Sequence, residues 1–348
     1  MSISLLLMGL SVIFAFVAIF DINGNNNGAY RLICTILLLM SFIRYPFVGT
    51  DSMNNYQAFL NISQGMHLDY GIGYQLYVKL LTYITDNYRF FLIVTASIIL
   101  IPVFYLFRNC RYRSFAIILY SLSVYVATFD VLKGYLALTF VLLAANAYIG
   151  FKKRKLAILL AIVGFLFHPS IILFLGMLWI SGRHLGRSKW TFIYLLGILL
   201  LYPELRDYLQ KTVIHIAGKI SSRYALYEFG NYYHSTTFIL LYGFTTVLLA
   251  IYYVRLRIMA VELGRGRQID FLINMHLIGQ WLALFGGFIP SVNRYMKFGL
   301  IFSIMLLCEC ISVSKNAGNR WVLRLSAWGV YTVFVFLNNG GLIYMVGN

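Results

Sequence analysis

Runs of about twenty apolar residues recur from one end of the chain to the other, and short loops rich in Lys and Arg separate many of them. A helix that crosses a bilayer needs about 20 such residues, because each residue rises about 1.5 Å across a hydrocarbon core of about 30 Å. Hydrophobic residues make up 61% of the sequence and charged residues 11%, too few polar side chains to cover a soluble globule. The sequence therefore predicts an all-α, polytopic helical membrane protein with a single integral membrane domain over residues 1–348.

The apolar runs predict about ten transmembrane spans plus a broken or re-entrant helical hairpin. The spans are residues 3–20, 30–47, 88–107, 114–128, 134–150, 190–203, 235–254, 270–289, 295–313 and 321–337. Two longer polar segments, 48–87 and 204–234, predict amphipathic helices at the outer face. The run 156–181 is broken by His168 and Pro169, so it either crosses once or forms two half-helices. We favour the hairpin, because both flanks of this run are basic.

Positive charge is spread along the chain rather than gathered on one polar face. The 28 Lys and Arg residues outnumber the 11 Asp and Glu residues, which gives a formal net charge of +17. Many of these cations lie in short loops, such as residues 152–155, and this is typical of the cytoplasmic loops of a membrane protein. The charge therefore favours anionic membrane lipid as a partner and not nucleic acid. It also places both chain termini on the outer side.

With this topology the predicted outer face collects polar and charged side chains that are far apart in the sequence. They are Arg44, Asp51, Tyr56, Asp69, Asp130, Lys133, His168, Arg223, Arg294 and Lys297. Several cations beside a histidine and a few carboxylates suit a lipid-linked anion, particularly a pyrophosphate. Arg offers a planar fork for paired phosphate oxygens, and Lys offers a point charge.

Single members of this set also have purely structural explanations. Asp51 could cap a helix, and Asp130 could pair with Lys133 at i, i+3. His168 could be the backbone partner of a broken helix. Arg294 could extend from the end of a span toward the interface. The functional interpretation depends on the convergence of these residues on one face.

Several enzyme classes are unsupported by the sequence. It contains no GxGxxG, P-loop, HExxH or GxSxG motif and no CxxC pair, which argues against nucleotide hydrolysis, zinc proteolysis and serine hydrolysis. The acidic residues are too few and too scattered for a metal cage. The four cysteines lie in or beside apolar runs and predict neither a disulfide nor a metal site. We therefore expect no metal and no cofactor.

Short motifs in a fixed order resemble the EpsG family of bacterial polysaccharide polymerases, which are Wzy-like in role. The matching residues are Gly49, Thr50, Asp51 and Tyr56, then Gly73 and Tyr74, then Lys133 opening a span, then a basic loop, then His168 ending an apolar run, and finally Arg294 with Tyr295. The chain departs from the usual family pattern at Lys133-Gly134, where Arg-Gln is common. It also has Gly71-Ile72 where a Glu is usual.

The resemblance implies a metal-independent glycosyltransferase, multi-pass in the bacterial cell inner (cytoplasmic) membrane. It would join undecaprenyl-pyrophosphate-linked oligosaccharide repeat units on the outer face into O-antigen or exopolysaccharide, with a chain-length regulator protein as a further partner. Arg294, Lys133 and Arg223 would bind the departing pyrophosphate, and His168 or Asp51 would act as the base. The remaining candidates, Tyr56, Asp130 and Lys297, would contact substrate.

Two other functions remain open from the residues alone. A transporter (flippase) of lipid-linked oligosaccharide would also need a cationic cavity, but it should show two pseudo-symmetric bundles, and the sequence shows no such repeat. A membrane-bound acyltransferase could use a lone histidine as its base. It should also carry an acidic partner close to that histidine, which the sequence around His168 lacks.

Overall fold

The computed structural model describes most of the chain. The described residues are 9, 12–13, 26–47, 51–68, 70–149, 153–168, 171, 187–199, 202–220, 236–284 and 292–344. Within these ranges every regular element is a helix, in agreement with the predicted all-α class. The predicted span 3–20 lies largely outside them.

Fourteen α-helices and one π-helix make up the described part of the chain. They are α1 (Asn27–Ile43), α2 (Ser52–Ser63), α3 (Ile72–Thr82), α4 (Tyr88–Phe107), α5 (Arg113–Tyr120), a π-helix (Ser121–Tyr125), α6 (Ala127–Asp130), α7 (Leu132–Ile149), α8 (Arg154–Phe167), α9 (Arg187–Leu199), α10 (Pro203–Ile220), α11 (Thr236–Glu262), α12 (Gly266–Leu284), α13 (Val292–Ser312) and α14 (Ala317–Tyr344).

Among the described residues, two helices are both long and apolar enough to cross a bilayer, Tyr88–Phe107 and Thr237–Glu262. Three shorter apolar helices accompany them, at Asn27–Ile43, Arg113–Tyr125 and Leu132–Tyr148. The structure therefore supports a helical membrane protein, while the count of ten spans stays a prediction. Helix α9 has 13 residues and reaches only about 20 Å, less than the hydrocarbon core of about 30 Å.

Helices α11 and α14 extend past the C-terminal ends that hydropathy predicts for their spans. Helix α11 continues to Glu262 rather than ending at 254, because Arg, Met and Glu are good helix formers even where they are too polar for lipid. Helix α14 continues to Tyr344 rather than ending at 337. Hydropathy thus measures the apolar part of a helix and not the whole helix.

The chain folds into two compact units. The first comprises Met1–Ile180 together with Ile311–Asn348, and the second comprises Ser181–Cys310.

In the first unit, α1 runs parallel to the continuous helical stretch α5–π–α6. At one end Arg113 Nη1 donates to Asn27 Oδ1 over 2.5 Å, and further along the Tyr125 hydroxyl donates to the Leu37 carbonyl over 2.5 Å. At the other end the Arg44 guanidinium lies over the Phe129 ring, with Cζ of Arg44 4.4 Å from the ring centroid. Helix α7 starts directly after α6 and packs along α4, whose last turn accepts a hydrogen bond from Tyr30 of α1, so α7 runs back toward the first end.

The basic loops of the first unit share one end, and most of its candidate residues lie at the other. The basic end carries Arg108, Arg111, Arg113, Lys153, Arg154, Lys155, Arg320 and Arg324. The opposite end carries Arg44 after α1, Lys133 at the start of α7 and His168 after α8. Charge bias predicts that the basic end faces the cytoplasm.

In the second unit, α11 and α12 form an antiparallel pair joined by a tight turn. Gly264 has φ +63 in this turn, a backbone conformation that glycine adopts without steric cost. Arg257 Nη1 lies 2.5 Å from Asp270 Oδ1, and Arg265 Nη2 lies 2.7 Å from Glu309 Oε1. The first ion pair connects α11 to α12, and the second connects the turn between them to α13.

Candidate functional site

An antiparallel hairpin brings Lys133 and His168 to the same end of the first unit. Helices α7 and α8 pack through four buried alanines, Ala144, Ala147, Ala157 and Ala161. Small residues allow such close approach of helix backbones. Farther along the same contact, a Cβ built on Gly164 would lie 3.0 Å from the Ala137 carbonyl oxygen. Lys133 lies four residues before Ala137 on α7, and His168 lies four residues after Gly164 on α8. The antiparallel packing therefore places both residues at the same position along the hairpin axis.

Helix α8 ends at Phe167, and His168 adopts an extended backbone with φ −153 and ψ 115. A residue before proline is biased away from the helical region by contact with the proline ring, and Pro169 follows here. The predicted helix break at this position is therefore confirmed. Residues 172–186 lie outside the described part, so the choice between a hairpin and a single crossing stays a prediction.

Two glycines let the start of α3 contact the end of α8. A Cβ on Gly71 would collide with the carbonyl oxygens of Leu166 and Phe167. A Cβ on Gly73 would lie 2.9 Å from Cδ2 of the Phe167 ring and 3.0 Å from the Leu166 carbonyl carbon. Any other residue at position 71 would push α3 away from the chain that leads into His168.

The Lys133 ammonium lies against two tyrosines of the same segment. Lys133 Nζ is 3.4 Å from the centroid of the Tyr70 ring and 5.7 Å from that of Tyr74. The two rings meet edge to face, with centroids 5.9 Å apart. A cation over an aromatic face contributes about 0.5–2 kcal/mol. This contact fixes Lys133 against the same short segment, residues 70–74, that contacts the end of α8.

Burial disfavours the ionised form of two phenols of α3, those of Tyr74 and Tyr77, so neither is a candidate base. Burial, followed by the nearby phenols of Tyr88, Tyr70 and Tyr77, raises the pKa of Tyr74 far above its usual value. Burial also raises the pKa of Tyr77 to about 12, although its hydrogen bond with Thr95 opposes the shift. Both phenols stay protonated at neutral pH. The Tyr74 hydroxyl has no hydrogen-bond partner among the described residues, which is rare for a buried polar group.

Aromatic contacts connect this segment to Tyr56 and Arg44. The Tyr56 and Tyr88 rings meet edge to face, with centroids 4.9 Å apart. Tyr88 also interacts electrostatically with the buried Arg44. Phe91 lies between Tyr88 and Tyr77, at 5.7 Å from each ring. Tyr56, Lys133 and His168 therefore belong to one continuous region of the first unit, which we call the α3/α8 site: residues 70–74, Lys133, and the α8 terminus at His168.

Asp51 and Asp130 occupy different local structures from those that a capped helix or an i, i+3 pair would give. Asp51 is the N-cap residue of α2, but its side chain makes no capping hydrogen bond. Asp130 ends α6, and Val131 separates it from α7. Because Asp130 and Lys133 lie on different helices, the i, i+3 geometry of one continuous helix does not apply to them.

The remaining predicted residues belong to the second unit or lie outside the described part. Helix α13 begins at Val292, so Arg294 and Lys297 lie in its first two turns. Asp69 and Arg223 lie outside the described residues. Within the part of the chain that the structure describes, no group of three or more His, Cys, Asp or Glu residues is placed to hold a metal ion.

Some residues of this structure were not identified by the sequence. Tyr70 is one of 27 tyrosines, and nothing in its local sequence marks it as the partner of Lys133. In the second unit, His276 is fully buried and hydrogen-bonded through both ring nitrogens, to Thr246 and Ser303, at 2.9 Å each. A histidine inside an apolar run was the available signal for this network.

Comparison with known protein families decides the relationship. A model of the EpsG family matches residues 29–343, which is most of the chain. The chain belongs to the EpsG family. EpsG proteins are Wzy-like polymerases, so membership supports a role like that of a polysaccharide polymerase and confirms the resemblance found in the motifs. The matched range includes every candidate residue named above. No curated protein and no solved structure matches the chain.

Proposed function

We propose that this EpsG-family protein polymerises polyprenyl-pyrophosphate-linked oligosaccharide repeat units, of the O-antigen or exopolysaccharide type, at the outer face of the bacterial inner membrane. In this proposal it is a multi-pass glycosyltransferase that needs no metal. Family membership supports the polymerase class. The substrate, the membrane and the side of the membrane are parts of the proposal.

The observation that carries the proposal is the juxtaposition at the α3/α8 site. Lys133 supplies a positive charge held by Tyr70. The α7–α8 hairpin places Lys133 and His168 at the same position along its axis. A charge held in a fixed place stabilises developing negative charge at little reorganisation cost. A histidine level with this lysine provides a group that can accept a proton near neutral pH.

The proposed reaction is a displacement at the anomeric carbon of the growing glycan. A hydroxyl of the terminal sugar on the incoming repeat unit attacks this carbon, and the bond from the carbon to the pyrophosphate oxygen breaks. The electron pair of that bond leaves with the polyprenyl pyrophosphate. His168 or Asp51 takes the hydroxyl proton, while Lys133, Arg294 and Arg223 stabilise the departing anion. Tyr56, Asp130 and Lys297 contact the substrate.

The partners follow from this chemistry. The polyprenyl chains of donor and acceptor require a protein surface open to membrane lipid. A chain-length regulator protein is a further proposed partner. Nucleic acid is not among the proposed partners.

Replacing His168 with Ala in a strain that lacks the chromosomal gene tests the proposal. We expect the wild-type gene to restore long glycan, and the His168→Ala variant at equal membrane abundance to leave single repeat units at the outer leaflet. His215→Ala on α10 is the matched control, because His215 is exposed and outside the proposed site. Repeat units trapped on the inner leaflet would identify a transporter instead. Long chains from the His168→Ala variant would remove His168 from the mechanism.

A further inference from the structure

Three helices of the second unit meet around two glycines. Gly279 on α12 faces Gly299 on α13, and a Cβ built on Gly299 would lie 2.8 Å from the Gly279 Cα atom. The two helix backbones are therefore in direct contact. Such close crossings are typical of helices packed in membranes, where small residues form the contact.

The phenol of Tyr242, from α11, fills the remaining space at this crossing. A Cβ on Gly299 would lie 2.5 Å from the Tyr242 hydroxyl, and a Cβ on Gly279 would collide with the same oxygen. Tyr242 is fully buried, and its hydroxyl donates a hydrogen bond of 2.6 Å to the Met296 carbonyl. The side chain thus has one position, defined by two glycines and one main-chain acceptor.

A network of buried polar side chains lies about one helical turn away from this crossing, on the same three helices. The Thr246 hydroxyl lies 2.9 Å from His276 Nε2 and 2.9 Å from Gln280 Oε1, and His276 Nδ1 lies 2.9 Å from the Ser303 hydroxyl. All four side chains are buried. Breaking such a network leaves buried polar groups unsatisfied, so it resists sliding of α13 along α11 and α12.

We propose that Tyr242 is a positioning residue for Arg294 and Lys297, an inference that rests on the proposed function. Met296, which accepts the Tyr242 hydrogen bond, lies between these two cations in the first two turns of α13. The helix end is held at a main-chain atom, and the glycines forbid any other packing of the phenol. Tyr242 therefore fixes the position of α13 along its axis, and with it the positions of Arg294 and Lys297. It does not contact substrate itself.

Tyr242→Phe tests this inference, because it removes the hydroxyl and keeps the ring. We expect the rate of polymer formation per folded molecule to fall on the order of tenfold, since small misplacements of a binding group lower rates steeply. Gly243→Ala is the matched control, because a Cβ at this neighbouring position on α11 meets no atom of the described residues within 4 Å. It should polymerise at the wild-type rate.

A second readout measures the position of the α13 turn directly. In a background without the four native cysteines, Lys297→Cys places a thiol on this turn, and its rate of modification by a soluble reagent is recorded. We expect Tyr242→Phe to change this rate several-fold and Gly243→Ala to leave it unchanged. Unlike activity, the rate of modification does not depend on whether Arg294 binds a pyrophosphate.

The outcomes separate this inference from the proposed function. If Tyr242→Phe leaves either the modification rate or the polymerisation rate unchanged, the positioning role is wrong. If Arg294→Ala still makes long chains, the proposed role of Arg294 fails. The modification rates would still show whether Tyr242 fixes the axial position of α13. Support for the inference requires both rates to change in Tyr242→Phe and neither to change in the control.

Discussion

Replacing Gly71 with Ala is expected to abolish polymerisation, whereas replacing Gly329 with Ala is expected to leave it intact. The added Cβ at position 71 would collide with two main-chain oxygens, those of Leu166 and Phe167, at the end of α8. Backbone cannot rotate away as a flexible side chain can, so α3 or the α8 terminus must shift. The shift would separate Lys133, which lies against Tyr70 and Tyr74, from the α8 terminus at His168.

We expect a loss of at least roughly a hundredfold in polymer yield from Gly71→Ala, because a displacement of about 1 Å in a catalytic group has an effect of this size. The cost in stability should be smaller, about 1–3 kcal/mol, as for other overpacked contacts. The measurement is glycan length on membranes, normalised to the amount of folded protein. Gly329 lies inside α14, and no atom in the part of the chain that the structure describes comes within 4 Å of an added Cβ, so it controls for the substitution itself.

Gly73→Ala gives a graded comparison in the same turn. Its nearest neighbour is an atom of the Phe167 ring, which can move, although the Leu166 carbonyl carbon is almost as close. We therefore expect an intermediate loss of polymer. A Gly71→Ala variant that makes chains of wild-type length would contradict the claim that α3 and the α8 terminus form one site.

Replacing Lys133 with Met is expected to have the second large effect. Methionine keeps an unbranched side chain of similar reach and can still pack on the Tyr70 ring, so the loss of stability should stay near the value of a cation–π contact, about 0.5–2 kcal/mol. The loss of the charge that stabilises the leaving pyrophosphate should lower the rate roughly a hundredfold or more. Activity should therefore fall much further than stability.

Lys79→Met is the matched control for this substitution. Lys79 lies in the last turn of α3, in the same unit, and its ammonium lies over no aromatic ring of the described residues, unlike that of Lys133. We expect the Lys79→Met variant to polymerise normally. Lys133→Arg should retain part of the activity, because a guanidinium also stacks on aromatic rings and binds phosphate. Equal activity for Lys133→Met and the wild type would exclude Lys133 from binding the leaving group.

The sequence predicts some elements of this fold closely, for reasons that are local. Helix α4 spans Tyr88–Phe107, as the apolar run predicts, and Asn87 caps it by accepting from the Arg89 and Phe90 amides at 2.8 and 3.3 Å. The break at His168 follows from the next residue, Pro169. In both cases the cause lies within a few residues of the effect.

Features that depend on long-range packing could not be predicted. Gly71 is visible in the sequence, but its contact partner Phe167 lies almost a hundred residues away, at the end of the α7–α8 hairpin. Lys133 was identified as a candidate from its charge in an apolar context. Its partner Tyr70 was not, because the pairing is set by the three-dimensional path of residues 70–74.

Which of the two compact units each candidate residue belongs to also depends on tertiary structure. Lys133 and His168 share the first unit, whereas Arg294 and Lys297 belong to the second, and hydropathy carries no information about this division. The role of Tyr242 was hidden for a similar reason. A tyrosine in a span is ordinary, and its importance depends on two glycines from two other helices.

The central claim, that this chain polymerises glycan by displacing polyprenyl pyrophosphate at the α3/α8 site, is tested most directly with purified protein in liposomes. The liposomes contain polyprenyl-pyrophosphate-linked repeat units and a metal chelator, and both glycan length and released polyprenyl pyrophosphate are measured. We expect one pyrophosphate carrier released per linkage formed by the wild-type protein, and neither product from the Lys133→Met variant. Transfer of unchanged repeat units between leaflets without any lengthening would contradict the claim.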